Sequence, residues 1–215
     1  MKDFAEARRA MVETQIAARG IMDPDLLHAF LEVPREVFVP DDLAAFAYDD
    51  GPLPIGAGQT ISQPYIVALM IEAAGVAPAG HVLEIGAGSG YAAAVMSRIA
   101  GRVIAIERHA DLAELAAARL LRLSYDNVEI VTGDGSRGWP ERAPYDAILA
   151  AASGPHPSDA LLDQLAPAGV LVMPIGAPDS IQRLLRFRRG PDGLVEDDLG
   201  AVRFVPLIGA AGWRE

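Results

Sequence analysis

The chain contains no cysteine, which excludes disulfides and thiolate metal sites together. It also lacks any uninterrupted apolar run near the ~20 residues of a membrane-spanning helix, although 51% of its residues are hydrophobic. Basic residues are scarce: 18 Lys and Arg stand against 29 Asp and Glu, a net charge of −11. A protein that holds nucleic acid through its phosphates needs the opposite balance. The amino terminus, Met1-Lys2-Asp3-Phe4-Ala5-Glu6, is charged where a secretion signal would be apolar. His28, His81, His109 and His156 show no metal-ligand spacing. These absences lead us to expect a soluble cytoplasmic protein with no metal, no membrane and no nucleic-acid partner. Internal repeats, low-complexity tracts and interdomain linkers are missing as well. The 215 residues therefore read as a single domain, and a chain of this length buries roughly 70% of its unfolded surface.

What is present is organised around residues 82 to 90, Val-Leu-Glu-Ile-Gly-Ala-Gly-Ser-Gly. Val82, Leu83 and Ile85 suit a strand covered on both faces of a parallel sheet. Gly86, Gly88 and Gly90 then allow a tight turn and a close approach of backbone to ligand, and Tyr91 to Ile99 reads as the following helix. The glycines fall as G-x-G-x-G with Glu84 two positions ahead, which differs from the dinucleotide fingerprint G-x-G-x-x-G. The spacing resembles motif I of S-adenosylmethionine (SAM) methyltransferases. A glycine-rich turn also serves purely structural ends.

Ahead of this stretch, residues 1–75 read as helices and a covering segment. Phe4 to Arg19 is helical in composition and ends at Gly20. Asp23-Pro24 opens a second helix that runs to Glu32 and stops before Pro34. A short helical turn is expected at Pro40-Asp41-Asp42. Residues 49 to 58 carry too much glycine and proline for regular structure. Ser62 or Gln63 is placed to cap a helix from Pro64 to Gly75.

Residues 76–215 alternate strands and helices, the pattern of a doubly wound α/β sheet. Strands are expected at 81–86, Val103–Ile106, Val128–Thr132, Tyr145–Ala150 and Val170–Pro174, with helices at Leu112–Leu123 and Asp159–Leu165. Gln182 to Arg189 and Leu194 to Val205 flank Gly190-Pro191-Asp192-Gly193, a hairpin turn sequence. The expected fold is a mostly parallel, Rossmann-like sheet with N-terminal helices and an antiparallel C-terminal edge.

Open α/β sheets bind ligands at the carboxyl ends of their strands. Glu107 directly follows the second strand, 17 residues beyond Gly90, where an acid accepts hydrogen bonds from ribose hydroxyls; the competing reading is a solvated surface charge. Asp134, between Gly133 and Gly135, is expected to point into the pocket toward an adenine amino group; Asp-Gly is also a common plain turn.

Several further segments carry a resemblance: Gly58-Gln59-Thr60-Ile61-Ser62-Gln63-Pro64, Leu83 to Tyr91, Gly133-Asp134-Gly135 with Gly138-Trp139, Ala143 to Ile148, and Val202-Arg203-Phe204-Val205-Pro206-Leu207. Together they resemble the protein-L-isoaspartate O-methyltransferase family over nearly the whole chain. The resemblance implies SAM-dependent methylation of the free α-carboxylate of isoaspartyl residues in damaged proteins, which starts repair through a succinimide. It implies that Glu84, Gly86, Gly88, Gly90 and Glu107 hold the cofactor, with Asp134 and Gly135 on its adenine side. Ser62 would sit at the transferring methyl, and Thr60, Ile61 and Tyr65 on the substrate side. Ser62 would orient the acceptor without attacking covalently, since a lone serine is weak without a base.

The chain departs from the family pattern at Ala150-Ala151-Ala152-Ser153-Gly154, where a threonine hydroxyl is common, and in the following Pro155 to Ser158. The change bears on acceptor choice and leaves the cofactor motif intact. Ser124 stands where a glycine often ends the preceding helix. Two alternatives stay open at this point, a SAM methyltransferase for another carboxylate acceptor and a SAM-binding interaction module without turnover. Oligomeric state is not legible.

Overall fold

The computed structural model describes residues 3–190 and 193–214. The N-terminal layer is set by side-chain caps. Asp3 Oδ1 accepts the N–H groups of Ala5 and Glu6 at 2.9 and 3.2 Å to open α1 (Phe4–Met11). Asp23 does the same for α2 (Pro24–Glu32), with Pro24 in the first turn where its missing N–H costs nothing. The helix expected to continue from α1 to Arg19 changes its winding, first widening over Val12–Ile16 and then tightening over Ala17–Arg19, before Gly20 ends it at φ 96°.

The 49–58 segment is more ordered than its composition predicts. β1 (Leu53–Gly56) and β2 (Gln59–Ile61) form a small antiparallel hairpin, because the turn-forming Gly56-Ala57-Gly58 falls between two short extended runs. α3 (Pro64–Ala74) follows and ends at Gly75, φ 65°.

The main sheet contains β3 (His81–Ile85), β4 (Arg102–Glu107), β5 (Val128–Thr132), β6 (Tyr145–Ala150), β7 (Leu165–Ile175), β8 (Gln182–Gly190) and β9 (Gly193–Val202). Its order is β5-β4-β3-β6-β7-β8-β9, parallel from β5 through β7 and antiparallel at β8 and β9. The order in which successive strands are added reverses at β3 and β6, which pair in parallel, the switch point at which open α/β sheets hold ligands. The helices α4 (Tyr91–Ser97) and α5 (Ala110–Arg122) connect the strands on one side of that switch. Along β3 the period-two alternation divides the strand between two cores: Val82 joins α3, α4 and the N-terminal helices, while Leu83 and Ile85 join Ile104, Ile148 and Phe187 on the other face.

Several boundaries move from expectation: α4 ends at Ser97 rather than Ile99, α5 runs Ala110–Arg122 rather than 112–123, and β7 opens at Leu165 rather than Val170. The helix expected over 159–165 is one short turn, α6 (Asp159–Leu162), because Leu165 already pairs with Tyr145 as the start of β7. Glu107 is the last residue of β4, paired with Thr132, rather than the residue after it. β9 stops at Val202, so Arg203 to Val205 lie beyond the sheet. Gly190 and Gly193 face each other across the hairpin as expected; the expected turn residues Pro191 and Asp192 lie outside the described residues.

Candidate functional site

The glycine turn leaves β3 locked to its neighbour: the N–H groups of Gly86 and Ala87 both donate to the Ile106 carbonyl, at 2.8 and 3.0 Å. Gly88 adopts φ 53°, and a side chain built on it would stand 3.1 Å from Ile55 Cδ1 of the β1–β2 hairpin. The left-handed backbone therefore favours glycine there, and the space beside it is tight. Gly90 has a different job. It caps α4, and its missing Cβ lets that turn pack against Ala116 and Leu120 of α5.

Over this turn lies a cavity of about 370 Å³, walled by the ends of β3, β4 and β6 and roofed by residues 58–62 and 205–208. That volume falls within the range of small-molecule sites. Glu84, Gly86, Gly88, Glu107 and Gly135 all line it. Most of the remaining wall is apolar, from Ile61, Met70, Ile71, Leu149, Val205 and Leu207.

The two acids differ in how they are held. Glu107 is 4% exposed, and its carboxylate accepts Gly88 N–H at 2.8 Å and His109 N–H at 2.9 Å. It is therefore held in place away from bulk solvent, and each oxygen retains capacity to accept a further hydrogen bond. Glu84 is 3% exposed, and its Oε2 has no hydrogen-bond partner. Burial and the nearby Glu107 push its carboxyl well above the usual carboxylate range, against one hydrogen bond from the Ala93 N–H. A buried carboxylate oxygen without a partner at a cavity wall is the place for a cationic group.

A second groove of about 710 Å³ adjoins the cavity. Thr60, Ser62, Ala151, Val205 and Pro206 border both. The expected cap role of Ser62 is not seen: α3 starts from Gln63 without a side-chain cap, and the Gln63 amide instead donates to Asp50 Oδ1 at 2.7 Å. Ile61, 4% exposed, lines the first cavity and not the groove. Tyr65 lines neither space. It sits in the first turn of α3 with the Arg19 guanidinium 5.0 Å from its ring centroid, because that turn directs it toward α1 and its continuation.

Asp134 also departs from expectation. Its carboxylate does not line the cavity but accepts Ser136 N–H at 2.9 Å and Ala210 N–H at 2.8 Å. Against the cost of partial burial, the bonds from Ala210 and Ser136 hold it below the usual carboxylate range. The turn is thus spent on fastening the C-terminal arm. Ser136 Oγ accepts Ala211 N–H, Trp213 Nε1 donates to the Ser153 carbonyl, and any side chain at Gly209 would collide with Asp134 and Ser136. The arm carries Leu207 and Ile208 into the cavity roof. Those two roof residues went unassigned in the sequence, and so did Arg35, a wholly buried side chain bonded to the Ser62 carbonyl. A motif match showed the arm was present without showing what it covers, and a charged residue gives no sequence signal that it is buried.

Among the described residues there is no cluster of acids and histidines able to hold a metal, and no helix long and apolar enough to cross a membrane.

A family model for protein-L-isoaspartate(D-aspartate) O-methyltransferase (PCMT) matches residues 6–212. A protein-L-isoaspartate O-methyltransferase 1 from Rhodopseudomonas palustris (strain HaA2) is 58% identical over 98% of this chain and 86% of its own. A protein-L-isoaspartate O-methyltransferase from Methylorubrum populi is 58% identical over 99% of this chain and its whole length. Of solved structures, a protein-L-isoaspartate O-methyltransferase superposes with a TM-score of 0.85 at 32% identity, covering 95% of this chain and 66% of that one. A Plasmodium falciparum beta-aspartate methyltransferase (PCMT), solved in complex with S-adenosyl-L-homocysteine, gives a TM-score of 0.80 at 28% identity over 94% of this chain and 98% of that one.

Proposed function

The chain belongs to the protein-L-isoaspartate(D-aspartate) O-methyltransferase family, and from that premise we propose how its two adjoining spaces divide the work. Its activity is SAM-dependent methylation of the free α-carboxylate of L-isoaspartyl residues. In our reading the smaller cavity holds SAM and the larger groove the isoaspartyl segment, with residues 1–75 covering the sheet of 76–215. The observation that carries this reading is that Ser62, with Thr60, Ala151, Val205 and Pro206, borders both spaces, the seam at which a methyl donor and an acceptor would meet.

The residues present fit the cofactor. Glu84, with its unpartnered Oε2, would face a cationic group, the Gly86–Gly88 turn would lie against the ligand backbone-first, and Glu107 would accept the ribose hydroxyls. Gly135 would floor the adenine side. Asp134 would act there only indirectly, by holding the roof closed. When bound, SAM supplies an electrophilic methyl whose S–C bond breaks as the carboxylate C–O bond forms, leaving a neutral thioether and an ester.

The chain needs no strong base for this chemistry, because a carboxylate with a pKa of roughly 4 is ionised at neutral pH. What it contributes is alignment and exclusion of water. Ser62 and Thr60 would orient the acceptor by hydrogen bonding, and the apolar wall of Ile61, Met70 and Leu207 would keep bulk water from two charges that are about to cancel. Isoaspartyl proteins as partners and a cytoplasmic setting belong to the same proposal.

Ser62→Ala tests it. Turnover should fall while SAM affinity by calorimetry stays near that of the parent, since the lost contact belongs to the acceptor. Parent-level turnover at saturating substrates would remove Ser62 from the reaction.

A further inference from the structure

Among the described residues Arg35 is the largest fully buried side chain, with no measurable exposure. It opens the short 3-10 turn Arg35–Phe38 that follows Pro34. Its Nε donates to the Ala47 carbonyl at 2.7 Å and its Nη2 to the Ser62 carbonyl at 2.8 Å. The guanidinium carbon lies 4.9 Å from the ring centroid of Tyr91, the first residue after the glycine turn. Tyr91 is itself buried and lines the cavity, and its hydroxyl interacts with the Arg35 side chain.

A core arginine ordinarily comes with a carboxylate, because an uncompensated buried charge is costly. Among the described residues none forms an ion pair with Arg35; its electrostatic neighbours are Tyr91 and Tyr48. Burial lowers its pKa, and the two tyrosines act the other way, but a guanidinium keeps its proton throughout. The fold therefore keeps a permanent cation at a fixed point beneath Ser62. Carbonyl acceptance alone does not account for the choice of residue, since a neutral donor would satisfy either carbonyl without the charge.

We propose that Arg35 is a positioning residue for methyl transfer: it clamps the Ser62 backbone to Ala47, which ends the short 3-10 turn Asp41–Phe46, and to Tyr91, and so sets the acceptor-side hydroxyl in register with the cofactor turn. The inference rests on the reading of Ser62 given above. The clamp joins three separate segments, and the guanidinium fork is what reaches two of them at once while its carbon lies over the Tyr91 ring of the third. Its uncancelled charge also favours an anionic acceptor in the adjoining groove. A lysine at this position would keep the charge and lose the fork.

The test uses Arg35→Lys and Arg35→Met, assayed with an isoaspartyl peptide and with SAM binding measured by calorimetry on the same preparations. In Arg35→Lys, kcat should fall about ten- to a hundredfold, the scale expected when a reacting group is misplaced by about 1 Å. KM for the peptide and Kd for SAM should stay within about threefold of the parent, because the charge and the cofactor turn remain. In Arg35→Met, kcat should fall comparably and KM should also rise, on the order of tenfold. Adding Ser62→Ala to Arg35→Lys should lower kcat little further, since both changes undo one alignment. Parent-level kcat in Arg35→Lys, or fully additive losses in the double variant, would overturn the proposal. Loss of SAM binding together with turnover in Arg35→Lys would also overturn it, because Arg35 would then support the fold as a whole. Parent-level turnover in Ser62→Ala alone would instead fault the reading of Ser62, which keeps the two failures apart.

Discussion

Glu107 Oε2 accepts the N–H of Gly88 at 2.8 Å, so the acid at the end of one strand braces the glycine turn at the end of its neighbour. In the proposed site Glu107 would have two tasks, offering acceptors to the ligand and holding the turn beside it. Glu107→Ala removes both, and SAM affinity should fall about tenfold to over a hundredfold, the worth of one charge-assisted hydrogen bond. The unbound protein should also melt lower, because the N–H groups of Gly88 and His109 lose their acceptor. Calorimetry and a thermal melt together check this; parent-level affinity would remove Glu107 from the site.

Glu84 should tie cofactor binding to pH. Burial and Glu107 hold its carboxyl well above the usual range, so the folded protein keeps a proton that the unfolded chain releases at roughly pH 4. Stability from this group is full below that pH and is lost as pH rises toward the elevated folded value. Glu84→Gln should therefore melt higher than the parent at pH 8 in the absence of SAM, with the gap closing near pH 4. The same variant should bind SAM more weakly. In the parent, SAM binding should release a proton, visible as a dependence of calorimetric heat on the ionisation enthalpy of the buffer. A melting difference that is the same at both pH values would contradict this account of Glu84.

Ser124 has φ 58° just after α5, a left-handed position that a side chain makes costly. The cost is about 1–2 kcal/mol, and glycine returns about 0.5–1 kcal/mol of it through its freer unfolded chain. Ser124→Gly should raise the melting temperature by about 1–4 °C in a domain of this size and leave methyl transfer unchanged. A lower melting temperature would mean the serine makes a compensating contact.

The sequence was most legible where local rules and tertiary structure agree. Asp23-Pro24 marks the start of α2 and Gly75 the end of α3, and β5 and β6 keep their expected bounds, because caps and apolar runs act within a few residues. It was least legible where a residue's role depends on something distant in the chain. Gly90 follows the same motif as Gly88 yet packs against α5, a contact that only the fold creates. Asp134 looks like a ligand residue by position, but Ala210 claims its carboxylate from 76 residues away. Tyr65 shares a segment with Ser62, yet the turn into α3 carries it to Arg19. The 159–165 helix failed for a related reason: pairing of Leu165 with β6 outweighs the helical composition of residues 159 to 165.

The central claim, that Ser62 joins a cofactor cavity to a groove for isoaspartyl chain, is tested most directly by labelled methyl transfer from SAM to paired peptides containing L-isoaspartate or L-aspartate. The two peptides share composition and charge, so attraction alone cannot separate them. They differ in where the free carboxylate sits on the chain, and a groove that grips backbone aligns only one of the two with the methyl donor. We expect strong labelling of the isoaspartyl peptide and, on the order of a hundredfold or more, slower labelling of its partner. Equal labelling of both peptides would contradict the account.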